Sequence, residues 1–219
     1  MQHPSRMLIF CATLLLAVSP RALAQTLRPI RNNTILSPDL PKADLTFSST
    51  FRYAGGQQVN LYGMADAEQH LFVKGRQNGV IEAFYWIQFE HRVPGDSHTY
   101  NYQLGHTTEI GGLDFVYDVK AWPDYASMQN DDPKSDSAAI ARLLAKCNLR
   151  FPARTVRVRM FHLPTPDHRS ELMIIYGEAL AQDFSIPLSK DGVDVAKESP
   201  AFSQKLLDDL KRDLTIQRK

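Results

Sequence analysis

The stretch from Asp66 to Arg92 constrains this chain more than any other, because it reads as one long β-hairpin whose register decides what the sheet can carry. Its turn contains Gln77-Asn78-Gly79. Glycine at the end of a three-residue loop supplies the left-handed residue that follows a type I turn, and Arg76 then pairs with Val80. Counting outward, Lys74 faces Glu82, Phe72 faces Phe84, His70 faces Trp86, Glu68 faces Gln88 and Asp66 faces Glu90. Ala67, Leu71, Val73, Ala83, Tyr85, Ile87 and Phe89 share the other face, which is nearly all apolar. A two-residue Asn78-Gly79 turn is the stronger short-range signal, but it shifts the pairing by one and carries Glu68 and His70 in among Tyr85, Ile87 and Phe89. Burying polar groups without partners costs roughly 1–3 kcal/mol each, so the three-residue loop is the expectation. The opposed Lys74 and Glu82 support it.

Met1 to Ala24 has the layout of a secretory signal peptide: Arg6 in the charged region, a short apolar run from Met7 to Val18, and Ala22-Leu23-Ala24 before Gln25. That run falls short of the roughly 20 apolar residues a membrane-spanning helix needs, and no later segment qualifies. The mature chain is therefore expected to start at Gln25 and to reside in the periplasm or outside the cell. The 25 basic and 24 acidic residues give a net charge of +1. Losing Arg6 and Arg21, and no acid, turns +1 into −1, which is no footprint for nucleic acid. Of the two cysteines, Cys11 leaves with the signal, so Cys147 has no intrachain partner for a disulfide.

Residues 25–43 hold Pro29, Pro38 and Pro41 without apolar periodicity and read as a Pro-containing linker, poorly ordered in part. Residues 44–219 read as a single α+β domain. Leu45 to Tyr53 alternates as a half-buried strand, Val59 to Met64 is a weaker one, and Leu113 to Ala121 alternates again. Pro94-Gly95-Asp96-Ser97 opens a long loop holding His98, Tyr100, Tyr102 and His106. After Ser135 the period changes: Ile140, Leu143, Leu144 and Cys147 mark an amphipathic helix, with Asn148 placed to end it in the left-handed region. Cys147 lies on the apolar stripe, so its thiol is expected to be inert. Arg154–Phe161 and Glu171–Leu180 form a second hairpin, whose second arm is apolar on both faces and so belongs at the centre of a sheet covered twice. Ser199-Pro200 opens a C-terminal helix with Phe202, Leu206, Leu207, Leu210 and Leu214 in one stripe. The whole predicts an α+β fold, a curved antiparallel sheet of about six or seven strands packed by two helices, the last one C-terminal.

The chain has no G-x-S-x-G, H-E-x-x-H, C-x-x-C, Walker or G-x-G-x-x-G pattern, and no motif indicates a cofactor. His98, His106 and Glu109 fit no standard metal spacing. The polar hairpin face is the candidate site: His70 with Glu68 and Glu90 for acid–base work, and Phe72, Phe84, Trp86 and Gln88 for ligand contact. Arg157 and Arg159 are candidates to neutralise those carboxylates or clamp a ligand, and the Tyr100–Tyr102 loop to close over a pocket. Two functions follow. One is an exported protein binding a small apolar or amphipathic molecule in a cup between sheet and helices. The other is a hydrolase or isomerase with His70 as general base, oriented by Glu68 or Glu90.

Overall fold

The computed structural model describes residues 27–127 and 132–219; the expected signal peptide, the start at Gln25 and Cys11 lie outside the described residues. In chain order the elements are β1 (Ile30–Arg31), β2 (Thr34–Leu36), β3 (Ala43–Phe47), β4 (Arg52–Leu61), β5 (Ala65–Lys74), β6 (Ala83–Arg92), β7 (His106–Ile110) and β8 (Leu113–Trp122). There follow α1 (Asp136–Lys146), β9 (Thr155–His162), β10 (Ser170–Ala179), β11 (Val193–Asp194), the short α2 (Val195–Glu198), α3 (Pro200–Asp213) and β12 (Leu214–Arg218).

Asn78 and Gly79 both take positive φ, 51° and 82°, and Gln77 and Val80 exchange two backbone hydrogen bonds of 2.9 Å. The hairpin therefore closes with the two-residue turn, and the expected three-residue register is corrected by one position. His70 faces Ile87, Glu68 faces Phe89, Phe72 faces Tyr85, and Lys74 faces Ala83 instead of Glu82. Every side chain of β5 thus changes sides relative to β6. Glu68, His70 and Phe72 join Tyr85, Ile87 and Phe89, while Gln69, Leu71 and Val73 join Phe84, Trp86, Gln88 and Glu90.

The fold is mostly antiparallel sheet with few helices, so α+β describes it only roughly. Among the described residues there are two sheets in place of the single one expected, a four-stranded sheet in the order β1-β2-β3-β12 and an eight-stranded sheet in the order β11-β8-β9-β10-β6-β5-β4, with β7 also on β8. The reason lies at Ser48–Phe51. The run that alternates from Leu45 to Tyr53 breaks there at a turn, Phe51 N–H donating to Ser48 O at 3.0 Å, so that Leu45 and Phe47 stay in the small sheet while Arg52 opens the large one. The Asn33 side-chain amide donates to the carbonyls of Phe47, Ser48 and Phe51, which fixes the corner. Residues 27–42, expected as a linker, supply β1 and β2, and β2 pairs with β3.

Both faces of the large sheet are covered. On one, Ile35, Leu45 and Phe47 of the small sheet and Leu206, Leu207 and Leu210 of α3 pack on Phe72, Tyr85, Ile87 and Ile174. On the other, Ile140, Leu143 and Leu144 of α1 pack on Leu71, Phe84, Trp86 and Ile175. β10 lies between β6 and β9 and is buried on both sides, as its unbroken apolar run requires. Ser135 caps α1 by accepting from Ala138 N–H, and Asn148 takes φ 52° just past its end. No helix among the described residues is long and apolar enough to cross a membrane.

Candidate functional site

The apolar cover of α1 stops at its N-terminal end, and the sheet beneath turns polar. Gln69 faces Gln88 across β5 and β6, and Glu90 faces Glu171 across β6 and β10. Three carboxamides form a directed chain along this row. Gln57 Nε2 donates to Gln69 Oε1 (2.8 Å), Gln69 Nε2 to Gln88 Oε1 (2.8 Å) and Gln88 Nε2 to Glu90 Oε2 (2.7 Å). Gln57 and Gln69 also donate to the Ala139 and Asp136 carbonyls of α1 (2.6 and 3.1 Å), which ties the helix to the row.

The loop after β6 completes the arrangement. Tyr100 OH donates to Glu90 Oε1 at 2.6 Å, and Tyr102 OH donates to Glu171 Oε2. Tyr102 is held in place by its ring, stacked 3.7 Å from Phe161 at an interplanar angle of 10°. Glu90 thus accepts from a donor on each oxygen, whereas Glu171 has one donor, and its Oε1 receives no hydrogen bond among the described residues. Burial raises both carboxyls above the ordinary range; the charge of Glu90 adds to the effect on Glu171, which is pushed up to about 8, and the Tyr100 and Gln88 hydrogen bonds hold Glu90 back. Of the two, Glu171 is the carboxyl that keeps its proton at neutral pH.

Above the pair lies a cleft of about 380 Å³, floored by Glu171, Met173 and Phe161 and rimmed by Tyr62, Met64 and Asp136. Tyr62 and Met64 are 47% and 38% exposed, unusual for large apolar side chains among the described residues. Arg92 and Arg159 also reach the cleft, but each is committed. Arg92 lies over the Tyr100 ring, 4.4 Å from its centroid, and 3.5 Å from Asp96, and Arg159 pairs with Asp118 at 2.5 Å. A hollow of about 580 Å³ on the far side of Tyr102 contains no such carboxyl pair.

Comparison of the chain with known protein families, curated proteins and solved structures finds no match.

The residues expected to share one face are divided by the sheet. Gln88 and Glu90 belong to the cleft network, Phe84 and Trp86 are sealed beneath α1, and Phe72 lies on the opposite side, stacked on Phe47 at 3.9 Å. Arg157 is buried with its guanidinium over the Trp122 ring and 4.0 Å from Asp118, while Arg159 reaches the cleft wall. Asp66 faces His91 and not Glu90. Glu68 and His70 are buried between the sheets, His70 with no exposure at all.

That burial is matched by partners. Arg28 Nη1 lies 2.5 Å from Glu68 Oε2, and the Arg28 backbone N–H donates to Glu68 Oε1. His70 Nε2 lies 2.6 Å from the same oxygen and donates to it, since a carboxylate only accepts. Nδ1 is 3.2 Å from Tyr53 OH. Burial by itself would raise the Glu68 pKa; the hydrogen bonds from His70 and Arg28 and the guanidinium charge overcome it, and the carboxyl is held below its usual value. Tyr53 is pushed up to about 12 by burial and by the charge of Glu68. Both ring nitrogens of His70 are engaged and neither faces a cavity that admits a substrate, the hollow beside Arg28 and Glu68 being about 50 Å³.

Among the described residues no group of three or more His, Cys, Asp or Glu side chains is placed to hold a metal ion. His98 is an exposed partner of Asp96 at 2.6 Å. The central carboxyl that sequence reasoning passed over is Glu171. It is a lone charge at the head of the apolar strand Leu172-Met173-Ile174-Ile175-Tyr176, and that isolation is the signal that marks it.

Proposed function

We propose that this is an exported binding protein that takes a small amphipathic molecule in the cleft between the sheet and the start of α1, under the Tyr100–Tyr102 loop. The observation that carries the reading is the unpaired oxygen of Glu171 on the floor of a 380 Å³ cleft beside Met173 and Phe161. Ligand sites are concave, mostly apolar hollows of about 300–1,000 Å³ in which a few convergent polar groups set orientation. The cleft supplies both parts. Export rests on the Arg6, Met7–Val18 and Ala22-Leu23-Ala24 pattern. A hydrolase or isomerase using His70 as base draws no support from its geometry, since that imidazole is fully buried with Nε2 on Glu68 and Nδ1 on Tyr53.

The test is native mass spectrometry of the protein purified from the compartment in which it accumulates. A small molecule is expected on the wild type and absent from Met173→Trp, with thermal melting as the check that the variant is folded. Equal retention by both proteins would move the site elsewhere.

A further inference from the structure

We infer that the ligand is a small amphipathic primary amine, its ammonium group held between Glu171 and Glu90 and its apolar body laid against Met173, Phe161 and Met64. The inference rests on the reading of the cleft as a ligand site and names the chemistry that site selects. Glu171 is 97% buried, from an exposure of 3%. Its Oε1 has no hydrogen bond among the described residues and is not among the atoms sealed from the surface, so it opens onto the cleft.

The carboxyls around the pair favour a cation over the other ligand classes. From β6 come Glu90 and Arg92, from β9 Arg159, from the start of α1 Asp136, and from the loop Tyr100 and Tyr102. Arg92 faces Asp96, and Arg159 shares Asp118 with Arg157. A carboxylate or phosphate entering here meets arginines already facing carboxylates and brings its charge up against the Glu90–Glu171 pair and Asp136. A neutral alcohol gains one hydrogen bond to Glu171 and leaves the pair as it was. An ammonium offers three donors and offsets the burial and the repulsion from Glu90 that keep a proton on Glu171. On binding, the Glu171 carboxyl gives that proton to solvent and its carboxylate accepts an N–H of the ammonium, so one proton is released for each amine bound below the range where Glu171 ionises by itself.

The experiment is isothermal titration at pH 7 with three probes on one skeleton, 2-phenylethylamine, 2-phenylethanol and 3-phenylpropionate, each in two buffers of different ionisation heat. The amine is expected to bind at least about tenfold more tightly than the other two, a difference of about 1.4 kcal/mol, and to release protons, seen as a buffer-dependent heat. Glu171→Gln, which preserves shape, is expected to lose both the preference and the release; Glu90→Gln provides the same test through the other member should the first variant not fold. Alcohol or acid binding as tightly as the amine overturns the ligand class and leaves the cleft reading standing. Failure of all three probes, together with equal retention of native material by wild type and Met173→Trp, overturns the cleft reading itself. Tighter binding of Nα-acetyl-lysine methylamide than of 2-phenylethylamine overturns the small-molecule occupant in favour of a lysine side chain.

Discussion

A buried carboxyl keeps its charge only where cations and N–H donors converge on it. Glu68 and Glu171 show the two outcomes in one sheet. Glu68 has Arg28 and His70 within hydrogen-bond reach, so removing Arg28 strands an ion between the sheets. Arg28→Ala should lower stability by about 3–5 kcal/mol, the usual loss when one partner of a buried pair is deleted; a denaturant melt showing under about 1 kcal/mol would mean that solvent reaches Glu68. Glu171 behaves in the opposite sense. Its folded pKa of about 8 lies above the ordinary 4.5, so below pH 4.5 both folded and unfolded chains hold the proton and it has no effect. Between pH 4.5 and 8 only the unfolded chain gives the proton up, and stability falls as pH rises. Glu171→Gln should therefore match the wild type at pH 4.5 and exceed it at pH 9, by about 1–3 kcal/mol once the open cleft is allowed for; melting curves of equal pH dependence for the two proteins would contradict this. Neither role was legible beforehand. The fate of Glu68 depends on Arg28, 40 positions upstream in a stretch whose prolines read as linker, and that of Glu171 on a tyrosine 69 positions away.

At the scale of elements, periodicity served well where the apolar pattern of a segment is set by its own cover. The Ile140, Leu143, Leu144 stripe, the Ser135 cap and the left-handed Asn148 mark α1 correctly, and the doubly apolar run Leu172–Tyr176 marks β10 as central. The Leu206–Leu210 stripe is buried as expected, with Leu206 and Leu210 fully enclosed, though Leu214 leaves the helix for β12. Leu210→Ala should cost about 2–5 kcal/mol in a chemical denaturation curve through lost transfer energy and the cavity left behind; a loss under about 1 kcal/mol would show that α3 is not docked. The hairpin register failed for a definable reason. The two-residue turn carries a penalty only if Glu68 and His70 are buried without partners, whereas Arg28 and Tyr53 stand ready to partner them. Once that penalty is removed, the intrinsic preference of Asn-Gly for the tight turn decides the matter.

For the molecule as a whole, the antiparallel character, the closing helix and the two covered faces were legible, because each follows from alternation or from a stripe. The division into two sheets was not. It hangs on one corner, where a pattern that alternates from Leu45 to Tyr53 with only Ser49 out of phase is cut by a turn that Asn33 stabilises from a distance. The small sheet also has an order in space unlike its order in the chain: β3 lies between β2, which precedes it closely, and β12, which forms only after every strand of the large sheet. Until Leu214–Arg218 have left the ribosome, β3 presents an open edge and the apolar faces of Phe47 and Tyr85 lack the last strand of their cover. Closing the small sheet therefore joins segments far apart in the chain, a pairing of long sequence separation of the kind that slows folding.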